Sequence, residues 1–285
     1  MLEFDLPQEP RRNLDAHLTA MLGPEAVFRA GQREAIEAIV ENGSRALVVG
    51  TYLPLSFKSP KEQEYIDFLW DAFETNYAHG KYQFAFLAYH MLTMSFVYFN
   101  IWQIKQTQPR DFEKALIGFA REESTLLTAT SPFVFSAVSE RTILRLLRLI
   151  ACNNAEIGTY AKLVDDRNDS AHSNGNIFFS TGAALDSKIT EILRIVDEIE
   201  RHSEAVIEQC YRDFLLQNQD PDVRAYPDAA DQIREVLIHE NYLSQRDIEI
   251  CLAFDLTQIQ DLAVIAEVRA LHEALRADFE AGEPD

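Results

Sequence analysis

Through most of this chain apolar residues recur at intervals of three, four and seven, the period of a helix with one buried face. The strongest run covers 186–217, where Ile189, Ile192, Leu193, Val196, Ile199, Val206 and Ile207 mark a single stripe. Residues 61–78 repeat the pattern with Tyr65, Phe68, Leu69, Ala72 and Phe73. The stretch 82–106 differs, being apolar nearly all round, with no charge between Tyr82 and Ile104. Its length would span a bilayer, but His90, Thr93, Ser95, Asn100 and Gln103 are spread through it and basic flanks are sparse. A central helix enclosed by its neighbours is therefore expected, with no membrane partner. Further helices are expected at 109–128, at 141–151 behind an N-cap at Ser139, and at 153–171. The turn residues Ser173-Asn174-Gly175-Asn176 end the last of these. Beyond a polar linker with two prolines, at 217–227, short helices are expected near 228–239, 244–254 and 257–279. Before residue 50 the pattern reads helix, helix, strand, the strand being Ala46-Leu47-Val48-Val49. The expected fold is all-α. A helical bundle at 55–220 follows a short α/β fragment at 1–54 and precedes a small acidic helical region at 221–285.

Composition narrows the function classes. The hydrophobic share of 47% suits a globular protein of 285 residues. The net charge of −20 is the wrong sign for a general nucleic-acid binder, but it is uneven. From Asp228 to Asp285 there are 14 acidic and 4 basic side chains, a net of −10 and half of the excess. A cationic cleft elsewhere stays compatible with that charge. The cysteines, Cys152, Cys210 and Cys251, are widely spaced, with no CxxC and no His/Cys cluster in the sequence. That spacing argues against a disulfide framework and a zinc site, so no metal or cofactor is expected, and a cytoplasmic location is.

The residues that carry candidate chemistry are Arg167-Asn168-Asp169-Ser170-Ala171-His172. RNA is cut by its own 2′-hydroxyl attacking the adjacent phosphate. That reaction needs a group that exchanges protons near neutral pH, which histidine supplies, and a fixed cation against the phosphorane, which arginine supplies. An arginine followed five positions later by histidine, within an all-helical segment and before a long amphipathic helix, resembles the Arg-x4-His signature of HEPN ribonucleases. The resemblance implies a metal-independent endoribonuclease of toxin–antitoxin or phage-defence type. Arg167 would stabilise the phosphorane, His172 would be general base or acid, and Asn168 would orient one of them. It also implies an RNA substrate, a homodimer that brings two motifs together, and an antitoxin or helicase partner. Relatives with a tyrosine two positions after the histidine are nucleotidylated there; this chain has Asn174. On an ideal helix Arg167 and His172 lie about 140° apart, so the helix must end or distort for the two to converge.

Two further features bear on this reading. Arg141, Arg145 and Arg148 share one face of a helix that buries Ile143, Leu144, Leu147 and Ile150, which makes them candidates for holding RNA phosphates. The segment Phe28-Arg29-Ala30-Gly31-Gln32, followed by Arg45 to Val49, resembles the start of RecQ-like DNA helicases. There the strand would feed a phosphate loop. Here Lys58-Ser59 follows without the glycines that let backbone N–H groups face phosphates, so ATP hydrolysis is not expected. The alternative function is a non-catalytic HEPN-like dimerisation or binding module attached to a helicase or defence system.

Overall fold

The computed structural model describes residues 45–118, 121–172, 175–261 and 264–280. The helicase-like segment at 28–32 and the helices expected before residue 42 lie outside these residues. The described chain is helical, with no strand; one isolated bridge joins Pro54 to Ser244. The α-helices are α1 (Pro60–Ala78), α2 (Tyr82–Thr107), α3 (Pro109–Ala115), α4 (Glu140–Leu146), α5 (Asn154–Ala171), α6 (Gly182–Gln217), α7 (Ala229–Gln232), α8 (Gln245–Ala253) and α9 (Ile265–Glu280).

Helix α2 is the axis of the bundle. Its sides pack on α1, α4, α5 and α6, so it is buried from Leu92 to Ile104 without interruption. The polar residues noted in the sequence each find at least one partner, although the buried Nδ1 of His90 has none. Thr93 and Ser95 donate to the carbonyls of Tyr89 and Met91 at 2.9 Å. Asn100 donates to Phe96 O and accepts from Ser203 of α6, and Gln103 donates to Tyr242 O at 3.3 Å. His90 reaches Glu140 on α4. The helix is long and apolar enough to cross a membrane (mean hydropathy 1.3), yet its most apolar window is 83% buried in the fold.

Helix α1 begins in a capping box. The Ser59 hydroxyl accepts from Lys61 N while Glu62 accepts from Ser59 N. Lys58 sits 5.6 Å from the Trp102 ring and 5.7 Å from that of Tyr242, so Lys58-Ser59 serves aromatic packing and a helix cap. Glu62 also accepts from Ser131 Oγ at 2.5 Å and Tyr242 Oη at 2.8 Å.

Helix α6, 36 residues and roughly 54 Å long, runs through two apolar clusters. Leu185 to Val206 join α1, α2, α4 and α5; Ile207, Tyr211, Phe214 and Leu215 join the helices after residue 228. Where α6 meets α8, Glu200 and Asp247 are buried side by side. Asp247 Oδ2 accepts from Ser244 N at 2.7 Å and Gln103 Nε2 at 3.1 Å.

Three expectations are corrected, one of them being the helix expected near 257–279, which begins only at Ile265 after a 3₁₀ turn at Leu256–Gln258. Residues Arg45–Tyr52 form a 3₁₀ helix where a strand is read at 46–49. A strand needs a second strand for its backbone groups, and the described chain offers none; a 3₁₀ turn satisfies them locally. The helix expected over 109–128 stops at Ala115 and continues as the 3₁₀ turns Leu116–Gly118 and Arg121–Thr128. Gly118, the poorest helix former short of proline, stands at that break.

Candidate active site

Helix α5 starts with Asn153 as N-cap, its side chain accepting from Ala155 N and Glu156 N. It stays regular to Ala171, and His172 turns out of it with φ −83° and ψ 146°. Its last turns are fixed from three sides. Asp165 pairs with Arg141 of α4, and Asp166 accepts from Lys188 of α6 at 2.9 Å. The Ser170 carbonyl accepts from Gln83 of α2 at 2.7 Å, and the Gln83 amide oxygen accepts from Phe178 N at 3.1 Å. Gln83 thus ties the end of α5 to the chain that follows His172.

Arg167 points inward. Its Nη2 donates to Glu140 Oε2 at 2.7 Å, and His90 Nε2 lies 3.2 Å from the same oxygen. Exposure falls along this row: 33% for Arg167, 19% for Glu140 and 1% for His90. Burial alone would push the Glu140 carboxyl up. The hydrogen bonds and charges of His90 and Arg167 outweigh it and hold the carboxyl below the usual range. Tyr98, two turns along α2 from His90, has its hydroxyl pushed well up by burial first and by the Glu140 charge second.

His172 is exposed at the helix end, and its backbone N–H donates to Asn168 O at 3.0 Å. Among the described residues no hydrogen bond joins the side chains of Arg167, Asn168 and His172. The helix ends at His172, yet Arg167 is turned onto Glu140 while the imidazole is open to water. The candidate phosphate-holding arginines lie on one exposed face, with Ile143, Leu144, Leu147 and Ile150 buried behind them. Each has a partner: Arg141 bonds Asp165, Arg145 bonds Thr142 Oγ1 at 3.0 Å, and Arg148 bonds Asn154 Oδ1.

Sequence reading missed Glu140 as part of this site. It stands in the first turn of α4, where an acidic residue is ordinary because it faces the positive end of the helix. His90 reads as a hydrogen-bonded core histidine, and its partner is 50 residues away. Potential metal ligands come together among the described residues not here but at the other end of α5, at Cys152, Glu156 and His202. No family model, curated protein or solved structure matches the chain.

Proposed function

We propose that this protein is an endoribonuclease that cleaves RNA through 2′-hydroxyl attack without a catalytic metal. The observation that carries this reading is the order of groups along the end of α5. Arg167 is oriented by a carboxylate, and five residues on His172 is open to solvent where the helix stops. In the reaction an imidazole takes the 2′-hydroxyl proton, the freed oxygen bonds phosphorus, and the 5′-oxygen leaves with a proton from an acid. Arg167 faces the charge that builds on the phosphorane, Asn168 orients one of the two groups, and Arg141, Arg145 and Arg148 hold flanking phosphates. One histidine per chain supplies one of the two proton transfers, so a second copy supplies the other. Phe84, Ile177 and Phe178, exposed on either side of the Gln83–Phe178 bond, support a homodimer at this end of the bundle. A toxin–antitoxin or phage-defence role rests on the resemblance to HEPN proteins.

The second reading is a non-catalytic HEPN-like binding module. The pairing of Arg167 with Glu140 favours it, because a phosphate must compete with a carboxylate already in place. Incubating the protein with mixed RNA in EDTA, beside His172→Ala, separates the two. The nuclease reading expects cleavage that leaves 2′,3′-cyclic phosphate ends, spares DNA and falls in the variant by about 10²–10⁴. Full activity in His172→Ala, cleavage of DNA or a strict magnesium requirement would overturn it, and the binding module would then lead.

A further inference from the structure

Roughly 16 Å along α5 from Arg167, its first turn meets α6 in a cluster unrelated to that motif. Cys152 is 3% exposed and directly follows Ala151, whose left-handed φ of 64° turns the chain inward. Glu156 stands at the third position of α5, its Oε2 held by Asn153 N at 2.7 Å. His202 approaches from α6, with Nε2 3.5 Å from Glu156 Oε2. One ligand atom from each of the three lies within 4.8 Å of the others. Behind them Tyr160 is fully buried, its hydroxyl facing the Cys152 thiol and the Glu198 carboxyl.

We infer that Cys152, Glu156 and His202 form a binding site for a zinc-class divalent cation that fastens the start of α5 to α6. The donor set is the first reason. A soft sulfur, an imidazole and one carboxylate oxygen together suit Zn²⁺ and disfavour Mg²⁺ or Ca²⁺, which take all-oxygen sets. The spacing is the second. Zn–N and Zn–O bonds of about 2.1 Å put tetrahedral ligands roughly 3.4 Å apart. The 3.5 Å between His202 and Glu156 is already that edge and is long for a hydrogen bond. The third is orientation: the N–H of Asn153 fixes the Glu156 carboxylate, as outer groups fix the ligands of built metal sites. Three protein ligands leave a fourth position for water, on the side where His202 and Glu156 are partly exposed.

Titration of the full-length protein with Co²⁺, a spectroscopic stand-in for Zn²⁺, tests this. The expected result is one equivalent bound per chain, a near-ultraviolet thiolate-to-metal absorption band, displacement by Zn²⁺ and a rise in melting temperature. Cys152→Ser should abolish the band and His202→Ala should weaken binding at least tenfold, whereas Cys210→Ser and Cys251→Ser keep both. Glu156→Gln should weaken binding by a similar factor and decides the matter if either first variant fails to fold. A folded wild-type protein with no band and no thermal shift overturns the proposal. So do a band that survives Cys152→Ser and an affinity unchanged in Glu156→Gln.

Discussion

Arg167 and His90 meet the same oxygen of Glu140, at 2.7 and 3.2 Å, one from the rim of the bundle and the other from its axis. Glu140→Ala would strand a histidine that is 1% exposed and free an arginine that now has a fixed direction. A stability loss of about 1–3 kcal/mol is expected, the usual cost of leaving a buried polar group without its partner. Glu140→Gln, which keeps an acceptor, should lose less. Urea unfolding of the three proteins checks the order, and equal stability for all three would show that this oxygen holds nothing together.

His172 and Arg167 should separate by their effect on folding. His172 is exposed, so His172→Ala should unfold close to the wild-type temperature and, on the nuclease reading, lose cleavage. Arg167→Ala should lose both, because Glu140 is then held by His90 alone. Arg167→Lys should keep most of the stability and lose cleavage, since an ammonium replaces the charge but not the planar fork. Thermal melts run beside cleavage assays make the comparison.

The buried Glu200–Asp247 pair predicts a stability that falls with rising pH. Burial is the main cause in both, pushing Asp247 up to about 6 and Glu200 well above its ordinary value. Folded carboxyls with raised pKa bind protons more tightly than unfolded ones. Their contribution is therefore complete below about pH 4 and is lost as pH rises through about 6. Melting temperature should drop between pH 5 and 7.5, and Glu200→Gln, a permanent mimic of the protonated form, should flatten the drop. An unchanged slope in the variant would place the titration elsewhere.

Assembly offers a further check. If Ile177 and Phe178 cover one another across two copies, Ile177→Ser with Phe178→Ser should convert a dimer to a monomer in light scattering. The side chains are 76% and 41% exposed, so the doubly substituted chain should fold as before. A wild-type protein that is monomeric at micromolar concentration would remove the two-motif arrangement.

Much of the helical frame is legible in the sequence because each signal is local. The stripe from Ile189 to Ile207, the cap at Ser139 and the uncharged run after Tyr82 need no knowledge of distant residues. The strand expected at 46–49 fails for the opposite reason, since an apolar tetrapeptide becomes a strand only beside a partner. The motif at Arg167–His172 is visible, but the direction of Arg167 is not, because Glu140 is 27 positions away. Cys152 and His202 are farther apart still and follow no metal-ligand spacing; only the packing of α5 on α6 brings them together.

The enclosure of α2 also sets a schedule for the chain as it is made. From Thr107 to the end of α6 at Gln217 are 110 residues, which a ribosome adds in roughly 5–20 s. For that time the most apolar helix among the described residues has α1, α4 and α5 for cover but lacks the long face of α6. Nascent-chain pulldown of arrested products should therefore find holdase chaperones on chains that end before residue 182, and release them once α6 has emerged.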